Sequence, residues 1–239
     1  MLVSKLEEPV KSRTVLKFVL LATASASLIA TAFAQTTAPD VIAKVEAALK
    51  GVKDYKLRVT GDAVGNDDRK LALDIEVSSI PSLSLTRIKF NKPDELADNF
   101  VIIDKDKISN YLFLTNQVTV QSRKNSASIG GVNLDVNQFN DPTQAFPKDK
   151  INFKAVTEDD TPDGKAWLLE GSPKPGADLE FSSFKAWVIQ KDVRVYRLQY
   201  FNSKKVLQLD VKIPEYKANI GLKAANLRAV PKDAEIIKK

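Results

Sequence analysis

The sequence predicts a mainly β protein: one strongly curved antiparallel sheet with a single helix seated against it. Roughly ten or eleven short runs of alternating apolar residues are separated by charged or Gly/Pro turns, the pattern of consecutive hairpins. One amphipathic helix precedes them all. It cannot cover both faces of a sheet that size, so the sheet is expected to bend around it.

Residues 1–34 are expected to be a secretory signal peptide. Lys5, Lys11, Arg13 and Lys17 precede an uncharged run from Phe18 to Ile29, and Ala32-Phe33-Ala34 is a small-x-small cleavage site before Gln35. That apolar run is shorter than the ~20 residues a membrane-spanning helix needs. Residues 35–239 are then expected to form one domain, because no internal repeat or linker composition interrupts them.

Pro39-Asp40 opens the helix. Val41, Val45, Ala48 and Val52 recur on one stripe, and Gly51 is the expected stop. From Tyr55 the period changes to two. Leu71, Leu73, Ile75 and Val77 alternate with Ala72, Asp74 and Glu76 after a Gly65–Asp68 turn, which reads as a half-buried strand. Leu83 and Leu85 continue one parity while Ile88 and Phe90 take the other, which a β-bulge at Thr86-Arg87 would reconcile. After a turn at Asn91–Asp94, strands are expected at 100–103, 108–114, 118–120, 151–156, 166–169, 179–181, 186–189, 193–201 and 206–213. Ser126–Lys148 reads as a long polar loop with a short helix at Asp141–Phe146, and the tail beyond Ile213 as irregular.

The chain contains no Cys and no His. It can therefore build no thiolate or Ser-His-Asp nucleophile, no disulfide framework and no Cys or His metal site. Asp67-Asp68 and Glu158-Asp159-Asp160 are its close carboxylate clusters; both read as solvated turns, so neither catalysis nor a metal site is expected of them. The charge of +6 and pI of 9.3 are spread along the chain among acids, the pattern of a solvated surface and not of a nucleic-acid patch. Trp167, Trp187 and eleven Phe fit either a core or the lining of an apolar pocket. An incompletely filled concave sheet is a natural site for an apolar ligand, with no cofactor required.

The segment from Ile88 to Gln121, IKFNKPDELADNFVIIDKDKISNYLFLTNQVTVQ, carries a basic residue and proline at Lys92-Pro93. It continues through an acidic-basic turn at Asp104–Lys107, an aromatic strand at Tyr111-Leu112-Phe113 and an Asn116-Gln117-Val118 return. It resembles the LolA-type periplasmic carriers of outer-membrane lipoproteins. The order of elements agrees, down to the ending Leu227–Ile237. The resemblance implies a half-barrel, an incompletely closed antiparallel sheet capped by the N-terminal helix and a short lid helix. It implies a monomeric periplasmic carrier that shelters acyl chains of lipoproteins or free lipids. Inner-membrane release machinery and an outer-membrane acceptor would be its partners.

The expected cavity residues are Leu71, Leu73, Ile75, Ile88, Phe90, Leu112, Leu114, Trp167 and Leu169. The resemblance further implies a lid-gating role at Lys92 and Pro93, although the family has Arg where Lys92 stands, and lysine lacks the bidentate fork of arginine. An envelope sensor of the same architecture, binding lipidated ligands or a regulator protein, is the alternative implied function.

Overall fold

The computed structural model describes residues 36–64, 68–123, 148–177, 179 and 181–238. The signal-peptide reading, the Gly65–Asp67 part of the first turn and the short helix read at Asp141–Phe146 lie outside these residues.

Helix α1 (Ala38–Lys50) begins where the sequence places it. Thr37 caps it: its hydroxyl accepts from the Asp40 amide, and the Asp40 carboxylate accepts from the Thr37 amide at 3.0 Å. Val41, Ile42 and Val45 are buried along one face. Burial of this kind contributes about 1.5–3 kcal/mol for each large aliphatic side chain.

The strands are β1 (Tyr55–Val64), β2 (Lys70–Ile80), β3 (Leu85–Lys92), β4 (Phe100–Ile103), β5 (Lys107–Leu112), β6 (Gln117–Ser122), β7 (Ile151–Phe153), β8 (Thr157–Thr161), β9 (Gly164–Pro173), β10 (Ser183–Ile189), β11 (Arg194–Phe201), β12 (Leu207–Ala218) and β13 (Glu235–Lys238), with helix α2 (Ala224–Arg228) before the last. They form one open sheet in the order β13-β6-β5-β4-β3-β2-β1-β12-β11-β10-β9-β7, with β8 also pairing β9. Every pairing is antiparallel except β13 on β6. Among the described residues the sheet does not close, as the half-barrel expectation requires.

β1 is the central seam, since Tyr55 pairs with Ser79 of β2 on one side and Ala218 of β12 on the other. Two features shape the β12 side of that seam. The ladder shifts between Arg58 and Thr60, leaving Ile213 and Pro214 opposite Val59. Proline has no amide to donate, and a bulge is where a strand tolerates it. Close by, Gly61 has φ of +153° and packs directly on the β12 backbone; a Cβ there would lie 2.8 Å from Val211 Cα and would collide with the Asp210 carbonyl oxygen.

Several sequence expectations are corrected. No bulge occurs at Thr86-Arg87. A 3-10 turn at Pro81–Leu83 ends β2, and Leu85 starts a new strand facing the opposite side from Ile88 and Phe90. Leu179 and Phe181 lie outside any strand, although both pack in the core cluster under α1. Glu158-Asp159-Asp160 belongs to β8 and not to a turn; its backbone pairs with β9, and Asp159 accepts from Trp187 Nε1 at 2.7 Å. The tail is also ordered. Arg87 donates to the Leu227 and Ala229 carbonyls, and Arg228 makes a bidentate pair with Asp104. These contacts hold the segment through α2 across β2–β6, where Leu227 is buried with Ile80, Leu85, Phe100, Ile102, Tyr111 and Val118.

Candidate functional site

Residue pairing assigns a face to each side chain. The inner face, on which α1 lies, is lined on β2 by Leu71, Leu73, Ile75 and Val77. Val59 and Leu57 of β1 stand opposite Ile75 and Val77. On the other side, β3 sets Phe90 opposite Ile75 and Ile88 opposite Val77. The row continues through Val101 and Ile103 of β4 to Ile108 of β5. Tyr55, Ile75, Val77, Ile88, Phe90, Val101, Ile103 and Ile108 form one buried cluster.

The helix serves a different part of this face. Val41, Ile42 and Val45 pack with Leu169 of β9, Phe184, Ala186 and Val188 of β10, and Leu198 and Tyr200 of β11. Among the described residues, the apolar groups meeting the β1–β5 cluster are Val52, Leu57, Val59, Leu96 and Tyr216; neither α-helix contributes.

The outer face of the central strands is charged. Lys56 pairs with Glu76 at 2.7 Å, and Arg58 grips Asp74 with two bonds of 2.9 and 2.6 Å. Arg197 holds Asp210 in the same bidentate way. The Arg58 bonds keep the Asp74 carboxyl below its ordinary value, helped by Asn91 and opposed by desolvation. Arg197 and then Gln199 do the same for Asp210, again against desolvation. A carboxyl lowered by folding stabilises the native state above the ordinary carboxylate value near 4, and that contribution is lost as pH falls through the lowered one. Asp74→Asn is therefore expected to melt below the parent at pH 7, with the gap closing in strong acid. Thermal melts across that range check it; a gap independent of pH would exclude charge as its origin.

The residues expected from the sequence separate into three groups. Leu71, Leu73, Ile75, Ile88 and Phe90 share the inner face of the β1–β5 flank, with Leu71 half-buried and Ile75, Ile88 and Phe90 each 1% exposed. Trp167 and Leu169 are on the same face but in the α1 cluster, where the Lys44 ammonium sits 4.5 Å from the Trp167 ring centre. Leu112 and Leu114 are elsewhere: Leu112 closes β5 half-exposed, and Leu114 is 90% exposed in the turn that follows. Lys92 is exposed and pairs with Asp74, because the β2–β3 register shift leaves Asn91 as the extra residue. That places Lys92 on the charged outer side, where it adds to the lowering of Asp74. Pro93 follows it into a 3-10 turn at Asp94–Leu96.

Val77, Val101, Ile103 and Ile108 belong to the cluster without being among the expected cavity residues. Val77 continues the β2 alternation and is readable from it. In contrast, Phe100–Ile103 is buried on both faces, so it shows no alternation to read. Among the described residues no cluster of three potential metal ligands forms, and no helix is long and apolar enough to cross a membrane.

No family model matches the chain, and no curated protein matches it. Solved structures do. The chain is similar to an uncharacterized conserved protein from Thermus thermophilus, at 25% identity over 84% of this chain and 99% of that one, with a TM-score of 0.59. It is similar to a DUF1329 family protein from Desulfovibrio piger, at 14% identity over 79% and 95% of the two chains, with a TM-score of 0.47. A LolA superfamily protein from Nitrosomonas europaea matches at 11% identity over 81% and 98%, with a TM-score of 0.40.

Proposed function

We propose that this chain is an exported periplasmic carrier. In this reading it shelters acyl chains of lipoproteins or free lipids against the inner face of the β1–β5 flank and performs no covalent chemistry. The observation that carries the reading is the continuous apolar row from Leu57 and Val59 through Ile75, Val77, Ile88 and Phe90 to Ile108, on an inner face to which neither described α-helix contributes; the row from Ile75 to Ile108 is buried, so an acyl chain would enter by displacing what covers it. An open sheet whose inner face is apolar along this flank, and whose central strands carry ion pairs on the outside, suits such a task. Each methylene removed from water gains about 0.8 kcal/mol, so a long acyl chain gains on the order of 10 kcal/mol from shelter alone. The absence of His and Cys from the sequence fits a binding role. Inner-membrane release machinery would load the carrier and an outer-membrane acceptor would empty it.

A fluorescent fatty-acid probe titrated into purified protein tests the reading. Saturable binding is expected, with displacement by a triacylated peptide. A linear, non-saturating signal that the peptide leaves unchanged would remove the carrier function.

A further inference from the structure

The β5–β6 turn exposes three consecutive apolar side chains. Leu112 is 43% exposed, Phe113 53% and Leu114 90%. This exposure is built in by the frame of the turn. The Phe113 amide donates to Asn99 Oδ1 at 2.8 Å, the Asn116 amide returns to the Phe113 carbonyl, and Tyr111 Oη donates to Asn116 Oδ1 at 3.1 Å. Asn116 takes the left-handed conformation with φ of 51°, and its side chain donates to Asp233. Held at both ends, the turn cannot fold its leucines back onto the sheet.

A second apolar tip lies at the same end of the sheet. The pairings Tyr111–Phe100, Phe100–Lys89, Lys92–Asp74, Leu71–Ala63 and Ala63–Leu209 bring the β11–β12 turn to the end that carries the β5–β6 turn. There Val206 and Leu207 are 52% and 38% exposed, directly after the exposed Lys204 and Lys205. Asn202 organises this turn by accepting from the Lys204 and Val206 amides, each at 3.0 Å.

We propose that this end of the sheet docks on an anionic lipid bilayer, with Leu112, Phe113 and Leu114 entering the headgroup boundary and Lys204 and Lys205 meeting lipid phosphates. A convex tip of three side chains is far smaller than the ~800 Å² per partner that a stable protein interface buries. A fluid bilayer needs no shape match, and it accepts apolar groups flanked by cations. Asp94 and Glu95 lie in the loop beside the first tip, and Asp233 and Glu235 accept from its Asn116 and Gln117. That tip therefore binds through its apolar groups, and the second supplies the preference for anionic lipid. The inference makes no use of the inner face.

Vesicles of phosphatidylethanolamine and phosphatidylglycerol in equal parts, with phosphatidylcholine vesicles as the neutral control, provide the test. In Leu114→Trp, tryptophan emission is expected to shift to the blue on adding the anionic vesicles. Replacing Leu112, Phe113 and Leu114 together with serine should weaken flotation with those vesicles about tenfold or more, with a melting temperature lowered by only about a few degrees because Leu112 and Phe113 are half-exposed and Leu114 almost wholly so. Lys204→Glu with Lys205→Glu should cost about fivefold per lysine on anionic vesicles and nothing on neutral ones. An unshifted emission together with absent flotation would overturn the inference and leave a protein partner as the reason for the tip. Fatty-acid probe binding reads the inner face, so the carrier reading and this one fail by different measurements.

Discussion

Replacing Gly61 with alanine is expected to lower stability by about 4 kcal/mol, or roughly 10 °C in melting temperature for a protein of this size. Two effects add. The residue has φ of +153°, which a side chain disfavours, and the new Cβ would press on the β12 backbone at Asp210 and Val211. Backbone cannot move aside as a flexible side-chain end can, so the strain falls on the seam joining β1 to β12. Circular-dichroism melts measure it. A variant melting within about a degree of the parent would show that the seam relaxes freely, since even one kcal/mol shifts a chain of this size by about 2–4 °C.

Phe90→Ala should have a comparable cost, about 3–5 kcal/mol, because Phe90 is 1% exposed among Ile75, Ile88 and Val101 in the β1–β5 cluster. The proposed function adds a second expectation. A fatty acid present at about a hundred times its dissociation constant should raise the melting temperature of the parent by the equivalent of about 2.7 kcal/mol. The variant should gain less at the same concentration, having lost part of the surface the ligand contacts. Equal ligand-induced shifts in the two proteins would assign Phe90 to the core alone.

The parts of this molecule that are legible in the sequence are those where one face is solvated. β2 alternates because Asp74 and Glu76 sit in ion pairs on the outer side while Leu73, Ile75 and Val77 are buried on the inner side. Its inner-face residues therefore share one parity. Helix α1 is legible for the same reason, with Pro39, Asp40 and Gly51 marking its ends. Where both faces are covered the pattern disappears: Phe100 and Ile102 pack under Leu227 while Val101 and Ile103 join the inner cluster. The C-terminal strand escapes a sequence reading because its partner is 118 residues away, where Gln117 meets Glu235. Nothing in the local sequence of Glu235–Lys238 announces a parallel pairing. β8 escapes it because its acidic side chains belong to an exposed edge, where backbone pairing supplies the order and an acidic run looks like a turn.

Leu112 and Leu114 illustrate a different limit. Alternation across Ile108–Leu114 suggests a strand long enough to carry both inward, but β5 stops at Leu112 and the chain turns at once. The turn is dictated by Asn116, which takes a conformation that few residues other than glycine and asparagine adopt readily. Apolar letters in a turn are read as core by any periodicity rule, and only the geometry shows them facing water.

The placement of β1 beside β12 also governs the order in which the molecule can acquire its structure. The meander β1–β6 and the hairpins β9–β12 are built from neighbours in the chain, and each can condense soon after it emerges. Their union must wait for Tyr55 to find Ala218. Contacts of such high sequence separation are slow to form, because loop entropy is spent before the pairing returns anything. Chains lacking β12 would therefore present two unjoined sheet edges, and the protein can commit to its native state only once β12 has been made and joins them.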